Sequence, residues 1–188
     1  MSERRPHMPL IVQFLPLTLF ATYAFWAGPT PAPNRWERAF VLGGVAAVVQ
    51  MALVLRRRAP VNRLLLGANL YLLVGGLATV TRQWRVLVLY GVLAEAGIFV
   101  AILLVGLVTT SVSPAGYVGR RHPDRRKVRR YSLVLLGLTA AGLAVTVVFR
   151  GSGTWPVALP LLVVAIANQV LAHRLDQSPN RPEPHAAR

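Results

Sequence analysis

The chain has 188 residues, 54% of them hydrophobic and 14% charged, with 21 Lys plus Arg against 6 Asp plus Glu and no cysteine. So apolar a composition excludes an ordinary soluble domain, whose charged share is about a quarter, and the missing cysteine excludes disulfides, thiolate metal sites and cysteine nucleophiles. The positive excess points to anionic lipid headgroups and not to nucleic acid, which needs a folded basic face that lipid-facing helices do not offer.

A short segment with Arg4 and Arg5 precedes an apolar run over 8–27. The pattern also describes a signal peptide, but the run is longer than the usual core of about 7–15 residues and closes on no small-x-small site, so it reads as an uncleaved first span. Pro16 falls inside it with Thr18 and Thr22 close behind. This predicts a kink and a freed carbonyl that a hydroxyl or a neighbouring helix must satisfy. Pro29, Pro31 and Pro33 make Gly28 to Trp36 an extended connector. Apolar runs over 39–55 and 64–80 are joined by Arg56 to Arg63, a link short enough to force an antiparallel hairpin. Thr81 to Arg85 is a second tight turn.

The fourth run, 86–110, contains Glu95 as its only Asp, Glu, Lys, Arg or His. At 1.5 Å per residue Glu95 lies about 14 Å inside the first end, near the midplane of a ~30 Å hydrocarbon core. Gly91, Ala94, Ala96, Gly97 and Ala101 surround it, small residues that let another helix come close, so the acid is expected to face the bundle interior. Thr18, Tyr71 and Thr139 fall near the same depth. Either Glu95 is structural, hydrogen-bonded to one of these, or it is a proton or cation relay.

The longest loop, Ser111 to Arg130, carries Arg120, Arg121, Arg125, Arg126, Lys127, Arg129 and Arg130. Pro123 and Asp124 suit the first turn of a helix that begins in water and enters lipid at Tyr131. Spans over 131–149 and 155–172 follow, and the polar tail 173–188 reads as disordered. The fold class is therefore all-α, a single polytopic membrane bundle of about six transmembrane helices. With the N-terminus inside, sixteen basic residues fall on the cytoplasmic side and five on the other. That asymmetry predicts both termini in the cytoplasm, and Trp26, Trp36, Trp84 and Trp155 at the opposite ends of the spans agree.

Chemistry is sparse. His7, His122, His173 and His185 all lie outside the spans or at an end, which argues against a bis-histidine haem, and no cluster has zinc-ligand spacing, so no metal and no cofactor is expected. One acid without a second carboxylate, and no span with a His beside a Ser, argue against hydrolysis and against an enzyme. Gln13, Gln50, Asn69 and Asn168 each lie about 7 to 8 Å from the cytoplasmic end of their spans. They form either interhelical glue or the lining of a vestibule that leads towards Glu95. The seven basic residues of the long loop set topology and are expected to contact anionic headgroups.

The run Gln13-Phe14-Leu15-Pro16-Leu17-Thr18-Leu19-Phe20-Ala21-Thr22-Tyr23, then Gly75-Gly76-Leu77, Trp84-Arg85 and Tyr90, resembles in order the opening and middle segments of the intracellular septation protein A family of small bacterial inner-membrane proteins. The lysine and proline usual around that family's Trp-Lys segment are absent. The resemblance implies a non-enzymatic role in envelope maintenance or division, through contacts with other membrane proteins of the inner membrane. The rival expectation, from Glu95 alone, is a small proton-coupled transporter or channel. A cavity joining Glu95 to one side would separate the two.

Overall fold

The computed structural model describes residues 14–28, 32–56, 62–120, 122–152 and 154–177. Gln13, Arg121, residues 8–13 of the expected first span and residues 178–188 of the expected tail lie outside them. Among the described residues the chain is helix and turn throughout: α1 (Leu15–Phe25), α2 (Pro33–Arg56), α3 (Arg63–Val80), α4 (Trp84–Leu93), a 3-10 turn (Ala94–Ala96), α5 (Gly97–Val112), α6 (Arg125–Val148) and α7 (Trp155–Gln177). Five stretches are long and apolar enough to cross a membrane, namely α2, α3, the α4–α5 pair, α6 and α7. Helix α1 is shorter: its 11 residues extend about 16 Å, half of a hydrocarbon core.

Helix ends differ from the sequence reading in three places, each for a local reason. Pro33 opens α2 instead of prolonging the connector, because the first turn of a helix is where a missing N–H costs nothing. Pro16 likewise sits in the first turn of α1, so it does not interrupt the described helix. Helix α7 continues to Gln177, five residues into the expected disordered tail, because Leu175 extends its apolar stripe onto Val118 and Val128 in a small second core. Helix α6 starts where expected, near Asp124, with Pro123 and Asp124 just before its first turn and not within it. Asp124 is the N-cap, its carboxylate accepting from the backbone N–H of Arg126 at 2.9 Å and of Lys127 at 3.3 Å.

The largest departure is in the fourth span, which is two helices and not one. Ala94 has φ +43° and ψ −126°, a backbone state that a residue with a Cβ adopts only at a cost of about 1–3 kcal/mol. Side chains from other elements bond the carbonyls around the break, although the Ala94 carbonyl also accepts from the Gly97 N–H that closes the 3-10 turn. Tyr71 Oη donates to the Ala94 carbonyl at 3.2 Å, and Arg150 Nη2, from the turn after α6, donates to the Val92 carbonyl at 2.5 Å and to that of Gly91 at 3.4 Å.

Packing follows chain order: α1 on α2, α2 on α3, α3 on α5, α5 on α6 and α6 on α7. Glycines set the close crossings. A Cβ on Gly76 would lie 2.8 Å from the Phe40 carbonyl oxygen, and one on Gly67 would lie 2.6 Å from Ile102 Cα. In lipid, where apolar burial drives little association, such backbone approach is what holds helices together. Phe40 is fully buried, and its ring meets those of Phe20, Trp36, Tyr71 and Tyr90 at centroid distances of 4.7 to 5.5 Å.

Helix α7 carries an internal proline, Pro160, whose missing N–H leaves the Pro156 carbonyl without its helical donor. The buried Thr146 hydroxyl of α6 supplies one at 2.8 Å, shared with its own-helix Gly142 carbonyl at 2.9 Å. Thr146→Val should therefore cost about 1–3 kcal/mol by stranding that carbonyl, read as a lower thermal midpoint in detergent, whereas Thr146→Ser should leave the midpoint near that of the parent.

Candidate functional site: an acid in an aromatic cavity

Because α1 and α7 are the two ends of the packing series, they face one another across a gap instead of meeting in a close crossing. The gap is a cavity of about 380 Å³ bounded by α1, the first half of α7, Trp36, Tyr71, Ile98 and Glu95. Thr18 and Thr22 of α1 and Ala158 and Leu162 of α7 are exposed at its edge, so it opens sideways from the bundle. Phe14, Phe20, Phe25, Trp36 and Tyr71 give it an aromatic wall. Phe20 and Phe25 each stand edge-on to Trp36, at 5.3 and 6.0 Å.

Glu95 enters this cavity from the 3-10 turn, level with Tyr71 in the middle of α3. The helix break is what presents it there, since the turn re-aims the side chain that a continuous helix would hold in register with Val92 and Phe99. Its Oε2 is buried and has no hydrogen-bond partner among the described residues. The side chains expected to meet it at that depth are divided. Thr18 and Tyr71 line the cavity, but the Thr18 hydroxyl donates to the Phe14 carbonyl at 2.9 Å and Tyr71 Oη to that of Ala94. Thr139 is elsewhere, donating to the Leu135 carbonyl at 2.8 Å with Tyr117 Oη 3.5 Å away. The acid is thus left with an unused acceptor in apolar surroundings, a costly arrangement unless a proton or a cation occupies it.

Among the described residues the carboxamides pair between helices. Asn69 Nδ2 donates to Gln50 Oε1 at 2.7 Å between α3 and α2, while Asn168 Nδ2 donates to Asn62 Oδ1 at 3.3 Å, the same oxygen that caps α3 through the Leu64 N–H. None of Gln50, Asn69 and Asn168 borders the Glu95 cavity. They join helices, each pair worth about 0.6 kcal/mol by the usual scale for such bonds in membranes.

On the basic face, Arg120 pairs with Asp176 at 3.6 Å, and Arg125, Arg126, Lys127, Arg129 and Arg130 are exposed on the first turns of α6. The preceding loop is not wholly aqueous. Tyr117 is buried, with its backbone N–H donating to Ser132 Oγ at 2.8 Å, and burial pushes its phenol up to about 12, so it stays neutral through the physiological range. Among the described residues no group of three or more His, Asp or Glu is placed to hold a metal ion.

Compared with protein-family models, with curated proteins and with solved structures, the chain matches none.

Proposed function

We propose that this chain is a non-enzymatic carrier of a bacterial inner membrane that exchanges a lipophilic cation for a proton at Glu95. One observation carries the reading: a buried carboxylate oxygen with no partner among the described residues opens onto a lateral, aromatic-walled cavity. A bare carboxylate there is expensive, and either a proton or an organic cation removes the cost. A cation with an apolar body gains twice, from contact with the walls and from the faces of Phe20, Phe25 and Trp36, each worth about 0.5–1 kcal/mol or more when desolvated. Proton and cation compete for one group, so each cation that binds displaces one proton and the charge in the cavity is unchanged. Entry from the side suits a solute already dissolved in the bilayer.

Equilibrium dialysis of tetraphenylphosphonium against the purified protein in nanodiscs of neutral lipid tests this. Saturable binding is expected, weakened several-fold in Trp36→Ala, in keeping with the loss of one cation–π contact. Absence of saturable binding would contradict the carrier reading. The second reading, a scaffold for envelope or division proteins, rests on the septation-family resemblance of residues 13–23 and of Gly75-Gly76-Leu77. Crosslinking in native membranes that captures such proteins, together with no cation binding, would favour it.

Orientation with both termini inside is supported by the sixteen-to-five distribution of basic residues and by the tryptophans. A single cysteine at Lys127→Cys in this cysteine-free chain should be protected from an impermeant thiol reagent in intact cells, and react once the membrane is opened. Labelling in intact cells would reverse the topology.

A further inference from the structure

We propose that the groove between α5 and α6 on the basic face is a binding site for one anionic phospholipid, with the headgroup phosphate held by Arg125 and Arg129. The groove has a volume of about 810 Å³ and two chemically different ends. At one end are Arg125, Arg129 and Ser113. The two arginines are four residues apart, hence on one face of α6, and guanidinium forks match phosphate oxygens in pairs. Neither has a carboxylate partner among the described residues, since Arg120 takes Asp176 and the Asp124 carboxylate is occupied by the backbone of α6. A third cation stands beside them. Arg63 Nη2 donates to Ser113 Oγ at 2.7 Å, while its Nη1 is buried with no partner among the described residues.

The other end of the groove is apolar, and it decides between a lipid and a free anion. Leu107, Leu133 and Leu136 line it, and Leu107 and Leu133 are 48% and 54% exposed. A free phosphate would leave that wall uncovered, whereas acyl chains descending from a phosphodiester would lie along it. The groove's shape is fixed by packing, because the intervening loop is anchored by Tyr117 to Ser132 and by Ser113 to Arg63. Of the seven basic residues in this part of the sequence, the site therefore selects two; Arg120 is paired with Asp176, and Arg126 and Arg130 lie outside the groove lining.

Native mass spectrometry of the protein released from micelles doped equally with phosphatidylglycerol and phosphatidylcholine reads the site directly. The parent chain is expected to retain phosphatidylglycerol over phosphatidylcholine by at least about tenfold, and Arg125→Gln with Arg129→Gln to lose that preference. Arg126→Gln with Arg130→Gln removes the same charge at the same spacing from a neighbouring face and should keep the preference. All four side chains are exposed, so both double variants should melt with the parent. Equal loss in the two double variants, or no preference in the parent, would overturn the proposal. So would displacement of the bound lipid by inorganic phosphate at matched phosphate concentration, which would mark the groove as a site for the free anion.

Discussion

Glu95→Gln is expected to lower the affinity for tetraphenylphosphonium by about a hundredfold while leaving the bundle folded. The amide has the shape of the acid, so the cavity and the 3-10 turn keep their geometry, and Gln can still donate and accept. It cannot hold a negative charge. Removing one member of a desolvated charge pair costs about 2–5 kcal/mol of binding, and about 2.7 kcal/mol is a factor of a hundred. Glu95→Asp should retain a measurable part of the binding, weakened because its shorter arm draws the charge back towards the turn. Isothermal titration on the three proteins, with thermal melts alongside, checks both statements. A Gln variant that binds as tightly as the parent would remove Glu95 from the site.

The largest effect on stability is expected at Gly67. Its place on α3 brings α5 so close that a Cβ would stand 2.6 Å from Ile102 Cα and 3.1 Å from Ile102 N. Both are backbone atoms that cannot swing aside as a side-chain end can. Gly67→Val should therefore cost about 3 kcal/mol or more, the upper part of the range for overpacked sites, and should lower the melting midpoint of the whole bundle, since α3 is packed between α2 and α5. Gly91→Ala is the contrasting case. Nothing lies within 4 Å of its would-be Cβ, and alanine is favoured in a helix by about 1 kcal/mol, so its midpoint should stay level or rise. Similar losses in both variants would mean that backbone approach is not what fixes the α3–α5 crossing.

How much of this could be read from the sequence depends on whether the information is local. Apolar runs between arginine clusters located α2, α3, α6 and α7 with ends no more than six residues out, because length and hydropathy are properties of the segment itself. The start of α6 near Asp124 was legible for the same reason, though Asp124 caps the helix and does not sit in its first turn. The break at Ala94 was not. Neither proline nor a polar pair marks it, and the groups that sustain it, Tyr71 and Arg150, lie 23 and 58 residues from their acceptors Ala94 and Val92 in the chain. Counting depth along each span identified Glu95 as the unusual residue and put Thr18 and Tyr71 beside its cavity. It did not place Thr139, which bonds elsewhere, and it left open whether the carboxamides join helices or line a vestibule, because depth leaves the rotation of each helix undetermined. Side chains at equal depth need not meet: Asn69 bonds Gln50, whereas Asn168 bonds Asn62. Pro160 and Thr146 are a further missed pair: the proline is plain in the sequence, but the hydroxyl that completes its turn comes from another helix. Tyr117 had a signal, the apolar stretch Pro114 to Gly119 inside an otherwise basic loop, that marks where the loop folds back against α5 and α6.

The proposed exchange at Glu95, one carboxyl holding either a proton or a cation, is tested most directly by proton counting. Purified protein in weakly buffered detergent, titrated with tetraphenylphosphonium beside a pH indicator, should release one proton for each cation bound. Glu95→Gln should release none. Saturable cation binding with no proton released, or with the same release from Glu95→Gln, would contradict the account.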